Sequence, residues 1–178
     1  DNSMEIIKTD KFTTLKADKG KVLKNGDTTA CVVTLKGDFS KWIEVDASTI
    51  PVDPELLVEA KEKKIMEIAD YNTSDNVDAF LLNGEKHWLT LDERKAAELS
   101  TKAHITLGHE TTEQCLGGVF YTIPCESLIY MLAELEIYAL ECLNHAKRQE
   151  AEVMTMTDIA SVENYDVTAG YPEMLKFE

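Results

Sequence analysis

Between Pro124 and Arg148 apolar side chains recur at one helical spacing: Leu128, Met131, Leu132, Leu135, Tyr138, Ala139, Cys142 and Leu143. Repeats at i, i+3, i+4 and i+7 mark a helix with one buried face. Ile129, Ile137 and Leu140 widen that stripe, so this helix is expected to be the core of its domain. Pro124 closes the strand before it and opens the helix.

Two hairpin patterns precede this helix. Phe80-Leu81-Leu82, Asn83-Gly84 and Glu85–Leu89 read as strand, turn, strand, because Asn and Gly both tolerate positive φ. Thr112–Leu116, Gly117-Gly118 and Val119–Ile123 repeat the pattern. Between them a helix is expected from Thr90 or Asp92 to about Leu107, stopped by Gly108. A short helix follows Thr157-Asp158 and runs to about Tyr165. The tail turns at Thr168–Pro172, and Leu175 and Phe177 pack back onto the core. The expected fold class is α+β, with the two hairpins sharing one four-stranded antiparallel sheet and the helices covering a single face. Trp88 and Phe120 are expected in the core.

Residues 5–50 have a different texture. Short β-branched runs at Phe12–Lys16, Ala30–Leu35 and Lys41–Val45 alternate with the turn signals Asp18-Lys19-Gly20, Asn25-Gly26-Asp27 and Gly37-Asp38. They predict one small antiparallel sheet of three or four strands, barely large enough to fold alone. A linker spans 46–54. Asp53 then caps a helix with Pro54 at its first position, where a missing N–H costs nothing. That helix runs to about Asp70 and is nearly all charged from Glu59 to Lys64, as expected of an exposed segment or a spacer. The expected units are a β module over 1–53, a connecting helix over 54–70 and an α+β domain over 71–178.

The 178 residues carry 18 basic and 33 acidic side chains, a net charge of -15. Such a surface repels phosphate, which argues against nucleic acid and against anionic membranes as partners. The charge is uneven: residues 110–178 hold 3 basic and 13 acidic side chains, whereas residues 1–54 hold 8 and 9. The acidic end reads either as a solvated helical surface or as a docking face for a basic partner. No stretch reaches the length of a membrane-spanning helix. Asp1-Asn2-Ser3-Met4 has neither the basic nor the apolar region of a signal peptide.

Chemistry-bearing motifs are few. Cys31, Cys115, Cys125 and Cys142 are scattered in apolar contexts and form no Cys-x-x-Cys pair, so all four are expected to be reduced and structural. Cys125 sits in the first turn of a helix, where a thiolate is favoured, yet no nucleophile signature surrounds it. His104, His109, Glu113 and Cys115 are the one conceivable metal set. His109-Glu110-Thr111-Thr112-Glu113 fails the zinc-protease pattern because a Glu stands where the second His belongs. His87 lies in a strand, and His145 near a helix C-terminus, where a cation is favoured by the dipole. No catalytic residue, cofactor site or metal site is assigned. Trp42, in the thin amino-terminal sheet, is the candidate partner contact. A carbohydrate- or peptide-binding module built on Trp42 or Trp88 is one alternative, and a metal-dependent hydrolase is another.

Several segments taken in order resemble an uncharacterised domain family of tailed phages and prophages. They are Phe80-Leu-Leu-Asn-Gly84 with Trp88-Leu89 and Arg94, then Glu110-Thr-Thr112 with Gly117-Gly118 and Tyr121-Thr-Ile-Pro124, then Leu135-Glu-Ile-Tyr-Ala-Leu140, and last Tyr165–Pro172. Members of that family are small proteins encoded among tail and tail-fibre genes. The resemblance implies a tail component or an assembly helper, with a tail or tail-fibre protein as partner and a homo-oligomer as an option. It implies a place in the bacterial host cytoplasm during assembly, or in the virion tail. It supplies no catalytic residues. Its recurrent positions, Asn83, Gly84, Trp88, Gly117, Gly118, Tyr121, Tyr138, Gly170 and Pro172, read as determinants of the fold.

Overall fold

The computed structural model describes residues 4–50 and 53–178. Asp1-Asn2-Ser3, and the Pro51-Val52 part of the expected linker, lie outside the described residues. The chain is an α+β protein. In order come β1 (Glu5–Lys8), β2 (Thr13–Lys16), β3 (Lys21–Asn25), β4 (Thr28–Ala30), β5 (Val32–Leu35), β6 (Ile43–Asp46) and α1 (Pro54–Asn72). Then follow β7 (Phe80–Leu82), β8 (Glu85–His87), α2 (Leu91–Thr106), β9 (Thr111–Leu116), β10 (Val119–Pro124), α3 (Cys125–Thr155), α4 (Ile159–Glu163) and β11 (Lys176–Phe177).

Two compact units emerge, and both are discontinuous in sequence. The first comprises the chain up to Ile68 together with Gln149–Val167; the second comprises Ala69–Arg148 and Thr168–Glu178. This departs from the boundaries expected at 53 and 70. The helix after Pro54 belongs to the β unit as far as Ile68, and so do the end of α3 and all of α4.

Among the described residues of the first unit six strands form two three-stranded antiparallel sheets, ordered β1-β2-β5 and β4-β3-β6. One sheet of three or four strands was expected. The run Ala30–Leu35 breaks at Cys31, which sends β4 and β5 into different sheets. The Asn25-Gly26 hairpin forms as anticipated, with Gly26 at φ 61°. Asp53 caps α1: its carboxylate accepts the Glu55 N–H at 2.9 Å. Lys64, in the charged stretch that suggests a spacer, is buried. Its ammonium meets the Glu67 carboxylate at 2.7 Å and donates to the carbonyls of Glu163 (3.2 Å), the last residue of α4, and of Tyr165 (3.4 Å), just past it. The stem packs while the charge satisfies acceptors that a helix C-terminus leaves open. Asp158 caps the start of α4 through the Ser161 N–H. Val22, Ala47 and Ala160 close a small core.

In the second unit the two hairpins form at the predicted turns, with Asn83 and Gly84 at φ 49° and 81° and Gly117 and Gly118 at 56° and 82°. They do not share a sheet, contrary to the expectation. β9 and β10 stand as a two-stranded ribbon, whereas β7 lies between β8 and the carboxy-terminal β11, which runs parallel to it. The Leu81 N–H donates to the Leu175 carbonyl and the Asn83 N–H to the Phe177 carbonyl, both at 2.9 Å, so the second edge of β7 is filled by the tail. Phe80, Leu82, Leu116 and Ile123 pack on Leu128, Met131, Leu132 and Leu135 of α3. Burying a leucine such as Leu135 contributes about 1.5–3 kcal/mol.

Polar pins join these pieces. His87 Nε2 and the Tyr121 hydroxyl lie 2.8 Å apart, linking the two ribbons. Gly117 faces the His87 ring so closely that a Cβ would sit 3.3 Å from Nδ1. Trp88 follows β8, half-buried against Tyr138, with the Arg94 guanidinium over its ring. Arg94 is buried; it donates from Nε to Glu136 and from a terminal nitrogen to the Leu89 carbonyl, each at 2.6 Å. The Tyr138 hydroxyl donates to the Val77 carbonyl at 2.6 Å. The tail turn docks on His145, whose Nε2 lies 2.8 Å from the Ala169 carbonyl and whose ring meets Tyr171 at 4.5 Å; Pro172 follows, half-buried.

Candidate functional site

The helix α3 has two apolar faces. Leu128, Met131, Leu132, Leu135, Tyr138 and Cys142 are buried, as their spacing predicts. Ile137 and Leu140 do not widen that stripe. Ile137 lies two residues beyond Leu135, about 200° around a helix. It is 60% exposed, Leu140 56% and Tyr130 66%. Ala133 is exposed between them. Leu143, expected in the buried stripe, is exposed as well. The positions 130, 133, 137 and 140 repeat by three and four residues, the a/d seam of a helix that meets another helix. The seam lies opposite the face that fills the core. Its signal was present in the sequence but merged with the stronger stripe.

Acidic side chains surround this seam. Cys125–Asn144 contains Glu126, Glu134, Glu136 and Glu141 and no Lys or Arg. Glu136 is occupied by Arg94 at 2.6 Å. Beside the first turns of α3 an open depression of about 540 Å³ is lined by Glu126, Tyr130, Met131, Glu134, Lys176, Phe177 and Glu178. It joins the amino-terminal end of the seam through Tyr130.

The other candidates offer less. His104 and His109 meet each other, Nδ1 to Nδ1 at 2.8 Å, at the end of α2. Glu113 and Cys115 do not complete a ligand set with them; among the described residues no group of three His, Cys, Asp or Glu side chains is arranged to hold a metal ion. Cys125 is buried at the start of α3 with its thiol 3.6 Å from the His109 carbonyl. Cys115 is exposed, contrary to the apolar context expected for it, and pairs across the ribbon with Phe120. Phe120 is itself 69% exposed, so the expectation that it lies in the core is also overturned: its strand position points away from Leu116 and Ile123.

In the first unit a cavity of about 330 Å³ is lined by Val22, Ala47, Ile50, Leu56 and Ala160 together with Cys31, Asp53, Asp158 and Glu163. Burial pushes the Cys31 thiol up, with the Glu163 and Asp158 carboxylates adding to the rise and a hydrogen bond from Asn164 opposing it. A thiol held protonated is a poor nucleophile. Asp53 and Asp158 are spent on helix caps. Trp42 precedes β6 and is half-buried. Trp88 is engaged with Tyr138 and Arg94 and presents no free platform. Among the described residues no helix is long and apolar enough to cross a membrane.

No protein-family model matches the chain, and neither a curated protein nor a solved structure matches it.

Proposed function

We propose that the protein is a non-enzymatic, phage or prophage tail-associated protein that acts through protein–protein contact, as a tail component or a helper in tail-fibre assembly. The observation that carries this reading is the outward seam of α3: three large apolar side chains on a long helix, each more than half exposed and backed by a filled core. Isolated surface apolar residues are ordinary, but a row at a/d spacing is what a helix offers to another chain. The phage-tail setting rests on the resemblance of the segments from Phe80 to Pro172. The expected location is the host cytoplasm during assembly, or the virion tail. The alternative of a sugar platform at Trp88 is disfavoured by its packing. The test is light scattering on the purified protein mixed with the purified tail and tail-fibre proteins encoded beside it. A complex of defined mass is expected with one of them, and a lone monomer with all of them refutes the reading.

A further inference from the structure

We propose that the outward seam of α3 docks a basic amphipathic helix of the partner protein, with apolar side chains lying along Tyr130, Ala133, Ile137 and Leu140 and with Lys or Arg flanking them. This deepens the protein-contact reading and rests on it.

Charge decides the occupant. With Tyr130 and Ile137 at a and Ala133 and Leu140 at d, Glu134 and Glu141 fall at e and Glu136 at g. A second copy of this chain, seated antiparallel on the seam, would set Glu134 against Glu141 of the other copy, whereas Glu136 is already matched by Arg94. Like charges at those positions oppose pairing, and the net charge of -15 opposes it at longer range. Lys or Arg at the same positions would meet Glu134 and Glu141, which pair with no cation among the described residues. At the amino-terminal end Glu126 and Glu178 extend the negative border along the open depression, where Lys176 is the one basic side chain among the described residues. A helix laid in such a groove takes its affinity from the apolar row and its selectivity and register from the flanking charges.

The probes are two synthetic 21-residue peptides with one Leu/Ile a/d row. In one the e and g positions are all Lys; in the other they are all Glu, and like-charge flanks keep each peptide from pairing with itself. Fluorescence anisotropy with the full chain is expected to show the Lys peptide binding at least ~10-fold tighter than the Glu peptide, an advantage that shrinks as salt is raised. The double variant E134Q/E141Q leaves the apolar row intact and is expected to erase most of that preference. I137D is expected to abolish binding while circular dichroism stays unchanged. Equal binding of both peptides, or binding of neither, overturns the proposal. So does sedimentation showing a dimer that I137D dissociates, since the occupant is then a second copy. If a neighbouring tail protein binds the wild type and I137D equally, the docking reading survives and this assignment of its surface fails.

Discussion

Gly170 illustrates how a single atom's space fixes the carboxy-terminal tail. Its φ is 85°, and a Cβ placed on it would lie 2.8 Å from Cε1 of His145. In Gly170→Ala the left-handed backbone alone costs about 1–2 kcal/mol. The imidazole must also swing aside. That forfeits its 2.8 Å contact with the Ala169 carbonyl and its packing on Tyr171, worth together about 1–2 kcal/mol. The expected loss is therefore about 2–4 kcal/mol. A double-mutant cycle separates the two parts. In a His145→Ala background the ring is gone and only the backbone cost of about 1–2 kcal/mol remains. Urea melts followed by Trp88 fluorescence, with Trp42→Phe to silence the first unit, give each value. If Gly170→Ala costs the same in both backgrounds, or less than about 0.5 kcal/mol in the wild-type background, the close approach does not govern the tail.

Other perturbations test separate links. Leu135→Ala should lose about 2–5 kcal/mol, while Ile137→Ala, two residues along the same helix, should stay within about 0.5 kcal/mol; equal losses in urea melts would contradict the two-faced helix. Burial pushes the Asp78 carboxyl up, against the pull of Arg94, so the folded state holds that proton to higher pH than the unfolded chain does. Ionised Asp78 thus costs stability at pH 7, and the cost fades as pH falls toward the unfolded carboxylate range. Asp78→Asn should raise the urea midpoint at pH 7, with a gain that shrinks as pH is lowered; a pH-independent effect, or a loss at pH 7, counts against this. Of the four thiols, Cys115 should react first with an alkylating reagent. Mass spectrometry after partial labelling should find Cys125 and Cys142 untouched until the protein unfolds.

Features that depend on near neighbours were legible in the sequence. Asn83-Gly84 and Gly117-Gly118 announce turns because their φ values are positive. Asp53, Thr90 and Asp158 announce helix starts because their side chains accept a nearby N–H. Partners distant in sequence were not legible. Alternation says which face a strand buries and not which strand it pairs with, so the separate ribbons and the two amino-terminal sheets went unforeseen. β11 is two residues long and has no periodicity to read. Lys64 reads as surface until the carbonyls at the end of α4 are found beside it. The candidate site was half visible. Ile137 and Leu140 read as part of the buried stripe, and Tyr130 and Ala133 carry no signal of their own, because a wide stripe and two opposed stripes differ only in angle.

The late return of Gln149–Val167 to the first unit sets an order on synthesis. Val22 and Ala47 leave the ribosome early, yet Ala160, which completes their cluster, emerges near the end. Val22 and Ala47 must therefore wait for Ala160 while Ala69–Arg148 of the second unit is made. A message cut short after α1 would leave Val22 and Ala47 without the residue that closes their cluster. A lesion in α4 would be felt at the opposite end of the polypeptide.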